Sequence, residues 1–139
     1  MATSAFFISE VIFGPDGYAT VTNGSGESAD PDGLQLCQFP AYPDVPAGPV
    51  PPGGSVQVPA TELGDLVAGS GELALYAEPD YGNPDAVVGY VQWGDTGHKR
   101  EEPAVAAGVW DEGAFVDAGE GAGLRASGPT TSPSGWTVT

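Results

Sequence analysis

Basic residues are scarce in this 139-residue chain: three Lys and Arg stand against nineteen Asp and Glu, a formal net charge of −16. Nucleic acid is excluded as a natural partner, because phosphate binding rests on neutralisation by Lys and Arg with release of counterions. Anionic membrane surfaces are excluded for the same reason. A single cysteine, Cys37, rules out an internal disulfide, and with one histidine, His98, it cannot close a structural zinc site. The apolar run from Ala5 is broken by Glu10, far short of a membrane span. Without a basic residue ahead of it, that run reads as a first strand rather than a signal peptide.

Turn-formers are abundant instead, with 22 Gly and 14 Pro. Hydrophobic residues nevertheless make up 40% of the chain, which separates it from disordered sequences too polar to offset the entropy of ordering. Long helices are interrupted everywhere, and a chain of this length forms one domain that buries roughly two thirds of its unfolded surface. The acidity is mostly diffuse. Its charges are spaced about two Debye lengths apart at 0.1 M salt, so local clusters matter more than the total.

Short β-type runs follow one another between the turns. Residues 6–13 are apolar on both alternating faces; residues 14–17, Gly-Pro-Asp-Gly, turn the chain, and residues 18–22 alternate cleanly, so that a hairpin is expected. Asn23-Gly24-Ser25-Gly26 breaks the strand, and Asp30-Pro31-Asp32-Gly33 leads into a strand carrying Leu34, Leu36 and Cys37. Six prolines from 40 to 54 forbid regular pairing. Val56 and Val58, then Leu73 and Leu75, then residues 86–93 supply further strands. Leu63, Leu66 and Val67 mark a helical turn, residues 103–110 a short helix or covering loop, and Phe115, Val116 and Leu124 a closing strand. Residues 5–126 form the domain and residues 127–139, rich in Pro, Ser, Thr and Gly, read as a tail or linker with Trp136 and Val138 able to dock.

Several of these runs carry small motifs in order: Ser9-Glu10-Val11 in the first strand, Tyr18, Val21 and Asn23 in the second, and Asp30, Gly33 and Leu36 in the third. Between Ile8 and Gly94 the chain resembles the lamin-tail-domain family, as a divergent prokaryotic member with Thr20 at an acidic position and Leu34 at a tryptophan position. The resemblance implies an all-β, immunoglobulin-like β-sandwich of short antiparallel strands and Pro/Gly-rich loops. It also implies a non-enzymatic structural or protein-interaction role, in a secreted or cell-surface setting rather than the cytoplasm. The family shares no catalytic set, so no catalytic residue is carried over.

The residues themselves agree with a non-enzymatic reading. His98, beside Lys99 and Arg100, reads as an exposed turn rather than a base, and Cys37 as a small buried hydrophobe. Glu10 is the one acid in a strongly apolar strand and the sole candidate for a small acidic hydrolase. The pair Glu101-Glu102 next to Lys99-Arg100 reads as a solvated charge cluster. No cofactor is required. Calcium is the one ion with candidate loops, Asp30 with Asp32 and Asp80 with Asn83 and Asp85, although Asx turns explain both and neither has EF-hand spacing. A carbohydrate-binding accessory domain is the alternative, its candidate rings being Tyr18, Tyr42, Tyr76, Tyr81, Tyr90, Trp93 and Trp110. The expected partner is a protein or a second copy of the chain. With Phe6, Ile8 and Ile12 facing the core, Phe7, Val11 and Phe13 form an outer apolar face for self-assembly into a surface or filament-like structure.

Overall fold

The computed structural model describes residues 5–139, and the chain in it is mostly β, with two antiparallel sheets. Strand β1 (Phe6–Ile12) turns at residues 14–17 into β2 (Tyr18–Asn23), and the two pair as a hairpin. Gly17 permits the closeness of that turn: a Cβ there would lie 2.0 Å from the Ile12 carbonyl oxygen. Strand β3 (Gln35–Cys37) follows, then β4 (Ser55–Pro59), which runs into the short helix α1 (Ala60–Leu63). Next come β5 (Gly71–Tyr76), β6 (Val87–Trp93), helix α2 (Glu101–Ala106), β7 (Gly123–Arg125) and β8 (Thr137–Val138). The larger sheet has the order β4-β2-β1-β7-β8 and the smaller β3-β5-β6, every pair antiparallel. Val116 adds one parallel bridge to Trp93.

One hydrophobic cluster joins the sheets. Phe6, Ile8, Val11, Ala19, Val21 and Val58 enter it from the larger, Leu36, Leu73, Leu75, Val91 and Trp93 from the smaller. The Phe13 ring meets the Trp93 ring at 5.4 Å, and the Trp93 indole N–H donates to the Val67 carbonyl at 2.7 Å. Asn23, fully buried at the end of β2, donates to the carbonyls of Glu27 and Val50 and accepts from the Ser25 N–H and hydroxyl, so a polar group in the core is satisfied on both sides.

Three expectations are corrected. The register of β1 against β2 shifts between Ile8 and Glu10, a bulge that inserts one extra residue and reverses the alternation. Ile8 and Val11, three apart, therefore both face inward, and Val11 is 0% exposed instead of lying on an outer face with Phe7 and Phe13. β1 is also an interior strand, paired along its length with β2 and over residues 10–12 with β7, rather than the edge of its sheet. Residues 127–139 are not a free tail: β8 pairs with β7, and Trp136, 8% exposed, packs into the cluster. Strand β5 is covered on both faces, so that Ala74 and Tyr76 on its outer side are as buried as Leu73 and Leu75 on its inner one.

Candidate functional site

The second, outer face of the small sheet holds the chain's most unusual chemistry. Alternation along β5 puts Glu72, Ala74 and Tyr76 on this face; the cross-strand register brings Gln92 beside Glu72, Cys37 and Tyr90 beside Ala74, and Gln35 beside Tyr76. A polar layer of this kind would normally face water. Here residues 38–45, 80–86 and 95–114 fold over it.

Arg100 is the centre of that cover. Its Nη2 donates to the Tyr42 hydroxyl at 2.5 Å, and its guanidinium carbon lies 5.4–5.6 Å from the ring centroids of Phe39, Tyr42 and Tyr81. Tyr42 and Tyr81 stack at 4.1 Å, Tyr76 meets Tyr81 edge-on, and the Tyr81 hydroxyl donates to Gln35 Oε1. Burial pushes the Cys37 thiol beneath this group up to about 11, and the neighbouring guanidinium offsets only part of that. Burial works against the charge on Arg100, yet the Cys37 thiol and the Tyr42 hydroxyl together hold its pKa above the ordinary value.

Two carboxyl groups flank Arg100 in opposite electrostatic states. Glu72, 4% exposed, accepts on one oxygen, Oε1, from the Tyr90 hydroxyl and from the Arg100 backbone N–H, each at 2.8 Å. Burial nevertheless raises its pKa, because those bonds and the charges of His98 and Arg100 compensate incompletely. Burial also acts on Glu101, the largest single influence, but here the backbone N–H groups of Gly113 and Gly97 and the Thr96 hydroxyl outweigh it and hold the pKa below the usual range. The Gly97 N–H donates to Oε1 at 2.6 Å and the Gly113 N–H to Oε2 at 2.8 Å. Glu101 therefore ties two loops together, and the expectation of a solvated cluster at residues 99–102 holds only for Lys99 and Glu102.

Open grooves border the cover. One, of about 450 Å³, runs between Phe39, Leu63, Gly64 and Asp65, with Glu72 and His98 lining it. It meets a second of about 290 Å³, lined by Gly14, Pro15, Ala60, Leu66 and Val67, at the shared residues Gly64 and Asp65. Phe39 at 48% and Val67 at 50% are the most exposed large hydrophobics among the described residues.

The residues singled out from sequence are placed elsewhere. Phe7 is half-buried, Phe13 packs on Trp93, and Val11 is in the core, so the three form no common patch. Asp30 Oδ1 accepts from the N–H groups of Gly48 and Asp32, each at 2.9 Å, and these hold its carboxyl below the usual range. Asp80 accepts from the Asn83 amide and Asn83 from the Asp85 N–H, so both candidate calcium loops are closed by Asx-type bonds. Among the described residues no group of three or more His, Cys, Asp or Glu is gathered for a metal. Glu10 pairs with Arg125 at 2.6 Å and accepts from the Thr20 hydroxyl. Of the candidate sugar-stacking rings, Tyr76, Tyr90, Trp93 and Trp110 are buried, Tyr42 and Tyr81 cover each other, and Tyr18 is half-buried. No helix among the described residues is long and apolar enough to cross a membrane. The sequence reading assigns no site role to Phe39, Val67, Glu72, Arg100 or Glu101, taking Val67 as part of a helical turn and Arg100 and Glu101 as a solvated cluster; the one available signal was Glu72, an acid opening an otherwise apolar strand.

No protein-family model matches the chain, and comparison with curated proteins and with solved structures finds no match.

Proposed function

We propose that this chain is a non-catalytic protein-interaction module of immunoglobulin-like, lamin-tail-like type, which docks a basic segment of a partner protein across the surface between Phe39 and Val67. The single observation that carries the reading is the pair of grooves meeting at Gly64 and Asp65, with the two most exposed large hydrophobics of the described chain at their sides. Apolar groups exposed together beside a groove mark interaction surfaces. The choice of a basic occupant follows from charge: Asp16, Glu62 and Asp65 are exposed on or next to the groove-lining segments, in a chain of net charge −16. Complementary charge speeds encounter and suppresses wrong partners. The antiparallel two-sheet architecture supports the family resemblance, and the ion pair of Glu10 with Arg125 supports a structural part for that acid.

Selection of displayed random peptides on the immobilised domain tests the reading. Enriched peptides should share an apolar anchor flanked by Lys or Arg, and should lose binding to the Phe39→Ser/Val67→Ser double variant. Enrichment of acidic or purely polar peptides, or peptides indifferent to both substitutions, contradicts it.

A further inference from the structure

We propose that the free oxygen of Glu72, Oε2, in the larger groove is the seat for a lysine ammonium group of the partner; this inference rests on the protein-binding reading above and names the side chain that the groove recognises. Both hydrogen bonds to Glu72 fall on Oε1, from Tyr90 and from the Arg100 backbone, and none among the described residues reaches Oε2. Glu72 is 4% exposed and lines the groove, and Oε2 is not sealed off beneath it, so a donor entering the groove can reach this oxygen.

The chain's own cations do not fill that position. Arg100 turns its guanidinium to Tyr42 and the three aromatic rings, Lys99 Nζ sits 5.3 Å from the centre of the Phe39 ring, and His98, which lines the same groove and whose charge acts on Glu72, leaves its Nε2 without a hydrogen-bond partner. No described ion pair involves Glu72, and the upward shift of its pKa agrees with a charge short of compensation. An incoming cation would supply what these neighbours do not.

Geometry selects lysine over arginine. A guanidinium binds a carboxylate best through two parallel N–H···O bonds, which need both oxygens, whereas an ammonium is a point charge satisfied at one. Oε1 is already occupied twice. The groove wall then accommodates the lysine stem, since Phe39, Pro40, Ala41 and Leu63 offer apolar surface along which four methylenes can lie.

The test is a titration of the ¹⁵N-labelled domain, followed by NMR, with Nα-acetyl-lysine methylamide, its Nε-acetylated neutral counterpart, Nα-acetyl-arginine methylamide and butylammonium. The lysine probe should shift the amides of Gly71, Glu72 and His98 in a saturable way. The arginine probe should bind at least about tenfold more weakly, a difference of about 1.4 kcal/mol, and the neutral probe should shift nothing. Glu72→Gln retains a carbonyl oxygen for Tyr90 and Arg100 but places an N–H₂ donor where Oε2 was, and should abolish the response. Equal shifts from the neutral probe, an unchanged response in Glu72→Gln, or no saturable shift overturns the assignment; so does saturation by butylammonium alone, which would make a free small amine the ligand. The neutral probe decides the matter in the unaltered protein even if Glu72→Gln fails to fold. Val67→Ser alone, which alters only the neighbouring groove, should leave the lysine response intact while weakening peptide selection; absence of selected basic peptides with the lysine response present sinks the docking surface only, and the converse sinks the lysine seat only.

Discussion

Glu101→Gln and Glu72→Gln, two similar substitutions at either side of Arg100, should change stability with opposite sign. In Glu101 both oxygens are engaged: Oε1 accepts from Gly97 N–H and Thr96, Oε2 from Gly113 N–H. A glutamine keeps the first pair on its carbonyl but points an amide N–H₂ at the Gly113 N–H, so one charge-assisted bond is lost and two donors oppose each other. A hydrogen bond to a charged group is worth about 1.5 to 3 kcal/mol; about 2 kcal/mol in a chain of this size lowers the melting temperature by roughly 6 to 8 °C. The pH dependence follows from linkage. The folded pKa of Glu101 is lowered, so its contribution is present above the unfolded value of about 4.3 and is lost as pH falls through the lower folded value. That of Glu72 is raised, so its contribution is present below about 4.3 and is lost as pH rises through the higher folded value. Glu72→Gln keeps both native hydrogen bonds at Oε1 and discards the buried charge, and should match the native protein in acid and equal or exceed it at pH 7. Urea or thermal unfolding read by tryptophan fluorescence between pH 3 and 8 gives both curves. Equal destabilisation by the two variants at pH 7, or a Glu101→Gln loss that persists unchanged in acid, refutes the reasoning.

Cys37 is fully buried with its thiol pKa pushed up to about 11, so a thiol reagent at pH 8 should label it only as fast as the domain unfolds; rapid stoichiometric labelling of the native protein contradicts this. Leu75→Ala, at a fully buried position in the middle of β5, should cost about 2 to 5 kcal/mol in urea unfolding, and a loss below about 0.5 kcal/mol would show that the strand is not covered on its inner face.

Local chemistry was legible where a residue acts on its own neighbourhood. Gly14, Pro15 and Gly17 announce the first hairpin, the prolines between 40 and 54 limit that segment to isolated bridges at Ala41, Asp44 and Val50, and the small apolar run after residue 100 becomes α2. The inward direction of Leu73 and Leu75 followed from alternation, and the burial of Cys37 from the tendency of a strand cysteine to act as a small hydrophobe. What escaped depends on a single inserted residue or on distant chain. Nothing in Phe6-Phe7-Ile8-Ser9-Glu10-Val11 distinguishes a bulged strand from a regular one, yet one bulge moves Val11 from surface to core. β8 is two residues of Thr and Val in a Pro/Ser-rich segment, and only its pairing to β7 and the burial of Trp136 make it part of the fold.

The candidate site was hidden for a further physical reason. Four charged residues in succession, Lys99, Arg100, Glu101 and Glu102, read as solvated because burying a charge without a partner is expensive. Half-buried Arg100 and buried Glu101 find partners beyond their own turn: Tyr42 and Tyr81 for Arg100, Gly113 together with nearby Gly97 for Glu101. Once supplied, they turn a surface cluster into the pin that holds three loops over the outer face of the small sheet. That same cover leaves Glu72 with hydrogen bonds on one oxygen and the other open to the groove, while Lys99, in no ion pair among the described residues and poised over Phe39, stays at the rim. A chain selected only for solubility through acidic charge would place its carboxylates outward, as it does with Asp16, Glu62 and Asp65. Two of the nineteen acids, Glu72 and Glu101, are enclosed against that tendency; Glu101 is compensated on both oxygens from within the chain, and for Glu72, bonded on one oxygen only, we assign the remaining compensation to a bound cation.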